Sequence, residues 1–401
     1  MRTCFLQLTR IAPCLVLLLL APLLSADDTE QRKEALALNA VIGDQAIAEK
    51  IAELKKDPAK AKRLLAAAVT VQQEKETTFN YSAAFILASV AKELKQIETS
   101  VVFYKRAVAK AEEMKSDRRM ANVYFQWIGL LIEQQKYADA EAVCKHLLEI
   151  RRNPEEIGDD DGTLAAAKLY ALRRMIQVSA LQGKVEQAEK TLKPFLEKAG
   201  EDLDVMDIQA WLLRYQEKHD EAIKVYEKLI SSLPKEDRFD SYREEYQEII
   251  GSLYGDLGNL DKAMEHLMPL LKKKPDDPGL NNDIGYMWAE HGRDLTEAAA
   301  MIRKALAKEP ENPSFLDSMG WVLFKQKEYG EAKKYLLKAV ATPRGNNTEI
   351  LDHLGDVHAA MGEKAEAQAA WKKAVDLATT RQRDQRRKAK IEEKLRQAGK
   401  E

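Results

Sequence analysis

The chain has 401 residues, 45 % hydrophobic and 32 % charged, with a formal net charge of −2 and three cysteines. That balance excludes wholesale disorder, because there is enough apolar surface to bury and enough charge to solvate an exterior. The charge is unevenly placed: residues 381–401 hold nine Lys/Arg against four Asp/Glu, which leaves a formal −9 on residues 27–380 and excludes general nucleic-acid binding by that part.

The amino terminus carries Arg2 and Arg10, an apolar run from Ile11 to Leu20, and small residues at Ser25-Ala26 ahead of Asp27-Asp28. A basic start, a short apolar core and a small-residue boundary predict an export signal over 1–26, cleaved after Ala26. The run is short for a bilayer span and nothing later replaces it, so no integral membrane segment is expected after cleavage. The expected destination is the periplasm or the exterior. Cleavage would also remove Cys4 and Cys14, leaving Cys144 with no disulfide partner, so stability must come from helix packing.

Residues 27–80 read as an N-terminal helical cap or degenerate repeat. Ala35, Leu38, Ile42 and Ala46 share one face, and Ile51, Leu54, Leu64, Leu65 and Val69 continue the apolar pattern. Two helix hairpins are predicted over 81–154, the first using Ala84, Leu87, Ala88, Tyr104 and Ala107, the second Tyr124, Trp127, Ala140, Cys144 and Leu147. Residues 155–168 read as an acidic linker. Its Asp159-Asp160-Asp161-Gly162 is not followed by the ligand spacing of a calcium loop.

Six further hairpins are predicted over 169–381, starting at Leu169, Leu203, Glu244, Pro278, Pro313 and Thr348. The pattern is clearest where Asn282-Asp283-Ile284-Gly285-Tyr286, Asp317-Ser318-Met319-Gly320-Trp321 and Asp352-His353-Leu354-Gly355-Asp356 recur, their glycines 35 residues apart. With that glycine at position 8 of a unit, the Pro313 hairpin places Leu316, Met319 and Gly320 at 4, 7 and 8, and Ala332, Leu336 and Ala339 at 20, 24 and 27. Spacings of three and four put each set on one helix face. Small residues at 8 and 20 let the two helices approach, and the residue at 24 fills the space between them. Residues 382–401 read as a basic C-terminal capping helix, with Ile391 and Leu395 spaced to meet the last hairpin.

This register, with small or aromatic residues at 4, 7, 8, 11, 20, 24, 27 and 32, resembles the tetratricopeptide repeat family over roughly Tyr81 to Arg381. Departures are Gln247 and Asn281 at position 4 and Ser100 at position 20. The resemblance implies an all-α fold, a right-handed α-solenoid of helix hairpins whose concave wall is lined by first helices. Positions 5, 9, 12 and 13 would face that groove. In the last three units these are Asn282, Tyr286, Asp317, Trp321, Phe324, Asp352 and Asp356, and an upstream group comprises Arg173, Trp211, Arg214 and Tyr215. Rings give contact area at modest entropic cost, and carboxylates fix register. Trp211 and Trp321 are equally placed to pack between hairpins. Asp317 and Asp352, one repeat apart, would form an acidic ladder favouring a basic partner.

Candidate chemistry is sparse. His353 and His358 are five residues apart, not the four that aligns two zinc ligands on a helix, and Cys144 falls on a packing position. With no phosphate loop, dinucleotide fingerprint or nucleophile elbow, no catalytic residue, metal or cofactor is expected. Leader and resemblance together imply a non-catalytic scaffold of the bacterial cell envelope or periplasm that binds a protein or peptide, a basic one being favoured. An envelope glycan stacking on Trp211, Tyr215, Tyr286 and Trp321 is the alternative; nucleic acid is not an expected partner.

Overall fold

The computed structural model describes residues 26–74, 79–151 and 162–399, so residues 1–25 of the expected export signal and the Asp159–Asp161 triplet lie outside the described residues. These residues contain twenty α-helices and no strand. They divide into two compact units, one of residues up to 136 with 151–167, the other of 137–150 with 168 onward.

The first unit contains α1 (Ala26–Ala37), a 3-10 turn (Leu38–Ala40), α2 (Asp44–Lys55), α3 (Pro58–Glu74), α4 (Tyr81–Glu93), α5 (Ile97–Glu113) and α6 (Asp117–Glu133). Helix α1 packs on α3, α2 on α4, and α4 on α5, which in turn meets α6. Ala35, Leu38, Leu54, Leu64 and Leu65 are buried as their spacing predicts, but Ile42 is 82 % exposed. The chain turns at Gly43 with φ +92°, which breaks the continuous face assumed for this stretch, and Ile47 is buried in its place. Ser100, a polar residue where the register wants a small apolar one, is fully buried and donates its hydroxyl to the Ala88 carbonyl at 2.8 Å. Position 20 is thereby bonded to position 8 of the facing helix, and the hydroxyl is not left unpaired.

The second unit opens with α7 (Tyr137–Glu149). Hairpins follow as α8 (Thr163–Leu181, in this unit from Lys168 on) with α9 (Val185–Ala199), α10 (Leu203–Tyr215) with α11 (His219–Ser232), and α12 (Asp240–Asp256) with α13 (Leu260–Lys273). Next come α14 (Pro278–Glu290) with α15 (Leu295–Lys308), α16 (Pro313–Lys325) with α17 (Tyr329–Ala341), and α18 (Thr348–Ala360) with α19 (Lys364–Leu377), and α20 (Gln382–Ala398) closes the chain. Helix α8 starts at Thr163, so 163–168 are helical and not part of a linker; Gly162, at φ +86°, supplies the carbonyl that receives the Ala166 N–H.

Hairpin geometry follows from the small residue at position 8. A Cβ added to Gly320 would come within 2.6 Å of Leu336, and one added to Gly355 within 2.4 Å of the Trp371 ring, the position-24 residue in each unit. Five first helices of this unit end alike, with Gly183, Glu217, Gly258, Lys327 and Gly362 at positive φ in the centre of a three-residue turn. The next N–H then reaches back to a carbonyl in the last turn, as Glu328 does to Leu323 at 2.9 Å, which stops the helix and reverses the chain. The two departures at position 4 are likewise bonded. Asn281 is buried and donates to the carbonyls of Pro275 (2.9 Å) and Asp277 (2.8 Å), fixing the join between hairpins. Gln247 meets His266 Nδ1 at 2.5 Å across its own hairpin.

Candidate functional site

Within the second unit the first helices α8, α10, α12, α14, α16 and α18 form one wall, and their register brings acids to the same height. Position 5 is Asp207 in α10, Glu248 in α12, Asp317 in α16 and Asp352 in α18; position 2 is Asp204, Glu245 and Glu349 in α10, α12 and α18. The tail of the chain meets this wall at both ends. Segment 379–387, just after α19, touches its far end: Thr380 Oγ1 donates to the Leu181 carbonyl (3.2 Å) and Arg386 pairs with Glu217 (2.8 Å).

Helix α20 lies against the last part of this wall. Its apolar side does what the Ile391 and Leu395 spacing predicts: Ile391 is fully buried beside Leu351, Trp371 and Ala374, with Leu395 partly buried against the same cluster. Its basic side is turned inward. Arg383 and Arg387 both pair with Glu349 (3.0 and 2.6 Å), Arg387 also reaches Asp352 (3.3 Å), and Lys394 bridges Asp352 (2.7 Å) and Asp356 (2.6 Å). Burial opposes the charge on Glu349, but Arg387 and Arg383 outweigh it and hold the carboxyl below its ordinary value. For Asp356 burial prevails over Lys394 and pushes the carboxyl up.

Beneath these pairs sits a buried dyad. Asp317 and His353 are 5 % and 3 % exposed, with His353 Nδ1 at 2.9 Å from the Asp317 carboxylate and its ring stacked on Trp321 at 4.1 Å between centroids. Burial disfavours charge on the imidazole, but the adjacent Asp317 outweighs it and raises His353 above its ordinary value. Trp321 donates its indole N–H to Glu290 at 2.6 Å. Between α20 and helices α12 and α14 remains a cavity of about 600 Å³, lined by Asp256, Tyr286, Glu290, Trp321, Asp352 and Asp356 on the wall and by Arg386, Arg387, Lys390 and Lys394 on α20.

The predicted residues thus separate into groups. Tyr286, Trp321, Asp352 and Asp356 meet at this cavity, with the Tyr286 hydroxyl 3.5 Å from Glu349. Asn282, Asp317 and Phe324 do not line it: Asn282 is buried beside Asp283, Asp317 is taken by His353, and Phe324 stacks on Trp321 and meets Tyr329 at a tilt. Adjacent first helices approach closely enough to cover those positions. Upstream, Arg173, Trp211 and Arg214 line a second cavity of about 420 Å³ with Glu244, Glu245, Glu248 and Lys274. Arg173 is already paired with Asp207 there. Tyr215 is not part of that lining; it stacks on Trp211 and donates to the Ala180 carbonyl at 2.8 Å. Sequence reasoning did not single out Asp207, Glu248 or Glu349. Reading positions 2 and 5 back through every unit would have found them.

Cys144 is fully buried, and burial pushes its thiol up to about 12, which leaves it an inert packing group. Among the described residues no His/Cys/Asp/Glu group has metal-binding geometry, and no helix is long and apolar enough to cross a membrane.

Family models described as tetratricopeptide repeat match residues 204–235, 250–313 and 292–347. A tetratricopeptide repeat protein from Parabacteroides merdae is similar at 15 % identity with a TM-score of 0.50, over 68 % of this chain and 98 % of that one. A thermophilic TPR protein from Thermus thermophilus aligns at 19 % identity and TM-score 0.39, over 47 % and 95 %. No curated protein matches the sequence. The 35-residue register, the hairpins packed through position-8 glycines and the matched repeat models agree, and residues 204–235 and 250–347 are built of tetratricopeptide repeats.

Proposed function

We propose that this protein is a non-catalytic scaffold of the bacterial cell envelope or periplasm that binds a protein or peptide, with preference for basic segments, on the concave wall of its second unit. Tetratricopeptide repeat proteins typically serve as protein-interaction scaffolds, and their fold is typically non-catalytic. One observation carries the preference for basic partners: the wall's carboxylates Glu349, Asp352 and Asp356 already hold the cationic side of a helix. Buried acids of this kind need a charge partner, because a carboxylate stripped of water and left alone is strongly disfavoured. Support for export is the leader with Arg2, Arg10 and the Ile11–Leu20 run.

The glycan alternative needs aromatic faces open to solvent. Trp321 is 8 % exposed and stacked on His353 and Phe324, so at this end of the wall the rings favour a protein partner. Affinity capture with the full chain, followed by identification of bound proteins and by mass determination of the amino terminus, tests both parts. Retention on envelope glycan but on no protein would overturn the binding reading. An intact leader on protein from the cytosol would overturn the export reading.

A further inference from the structure

The geometry points to α20 as a built-in occupant of the binding groove, which a basic helical segment of a partner protein displaces; this deepens, and rests on, the reading of the wall as a protein-binding surface. Arg383, Arg387, Lys390 and Lys394 fall at spacings of four, three and four and form one cationic stripe along α20. Three of these four residues hold wall carboxylates. On the other side the apolar hold is small: Ile391 is the single buried residue among the seventeen of the helix, with Leu395 and Ala398 partly buried against the same cluster.

Such a contact is suited to exchange. Ion pairs traded for equivalent ion pairs change the free energy little, whereas the apolar hold to be given up is small. The exchange is also selective. The Asp352 side chain is 7 % exposed and that of Asp356 18 %, so a departing α20 must be replaced by other cations, and a neutral or acidic segment leaves those carboxylates unpaired. An approach site exists beside the occupied stretch. Glu245 and Glu248 in α12 hold the same register positions as Glu349 and Asp352 in α18, yet neither makes a hydrogen bond or ion pair among the described residues, and both line the open cavity beside Trp211. These free charges attract a cationic helix before α20 moves.

The probe is a synthetic peptide of sequence Gln382–Ala398, titrated against the full chain, with a second peptide whose Lys and Arg are all replaced by Gln. Wild-type protein should bind the first peptide weakly. The variant Arg387→Gln/Lys394→Gln, which loosens the resident helix, should bind it about ten-fold more tightly, because the open state becomes more populated. Adding Glu349→Gln/Asp352→Asn to that variant should abolish binding, and the neutral peptide should not bind. In wild-type protein, hydrogen exchange of residues 382–398 should rise when peptide is added, a readout that does not depend on any variant folding. Equal affinity of wild type and the loosened variant, or equal binding of the neutral peptide, would overturn displacement. Proteins captured equally by wild type and the loosened variant, with no peptide bound, would sink the resident-occupant idea and leave the scaffold reading standing. Capture of no protein by either would remove the scaffold reading itself.

Discussion

Helices α12 and α18 carry carboxylates at the same two register positions, and the fold puts them to different uses. In α18, Glu349 and Asp352 are covered by three cations of α20. In α12, Glu245 and Glu248 stand beside Trp211 with no cation bonded to them. Burial pushes Glu248 up, whereas Arg387 and Arg383 overcome the burial of Glu349 and bring it down. Repeat position therefore sets where a charge stands, and the neighbouring element sets whether that charge stabilises.

The largest test of this contrast is truncation. Asp352→Ala should lower stability by about 3 kcal/mol, since it removes the carboxylate that Lys394 and Arg387 share at a nearly closed site, two charge-assisted contacts at once, while Glu248→Ala should stay within about 0.5 kcal/mol. Chemical denaturation of both variants measures the difference, and equal losses would show that α20's pairing is immaterial. Next is packing at position 8. In Gly355→Ala the new methyl meets the rigid Trp371 ring at 2.4 Å, for a loss of about 2 kcal/mol. Gly251→Ala meets the more adaptable Leu267 side chain at 2.5 Å and should cost about 1 kcal/mol by the same overpacking argument.

Acidity separates the two sites with opposite sign. Glu349 is held below its ordinary 4.5, so its contribution is complete above pH 4.5 and is lost as pH falls through the lowered value. Exchange at 382–398 should therefore increase in acid, and Glu349→Gln should flatten that dependence. His353, raised above 6.5, behaves inversely: the stability of its pair with Asp317 is complete below pH 6.5 and is lost as pH rises through the raised value, a slope that Asp317→Asn should remove from the melting temperature. The smallest effect is expected at Glu248. Raised above 4.5, it favours folding only below that pH and loses the contribution as pH rises, so at neutral pH Glu248→Gln should be neutral or stabilising by up to about 0.5 kcal/mol.

Much of the fold was readable because it depends on local spacing. The glycines at position 8, the alanines at 20, the fillers at 24 and the Ile391–Leu395 pair all act between residues that sequence order already places on facing helices. The Ile42 error is of the same local kind, since one glycine at positive φ reset the face. The site was less legible. An acidic wall and a basic tail were each visible as composition, but their meeting depends on how far six hairpins curve, which no single period reveals. Asp317 shows the other difficulty: the register turns position 5 toward an open groove, but close approach of α16 to α18 buries it beneath His353.

The contacts from Thr380 to Leu181 and from Arg386 to Glu217 join residues 199 and 169 positions apart. A solenoid otherwise gains its stability from each hairpin touching the next, so its ends have no means of sensing one another. With these two contacts the tail ties the first hairpins of the second unit to its last, converting an open string of neighbours into a closed circuit. Bending stiffness and end-to-end cooperativity then become properties of one removable strut.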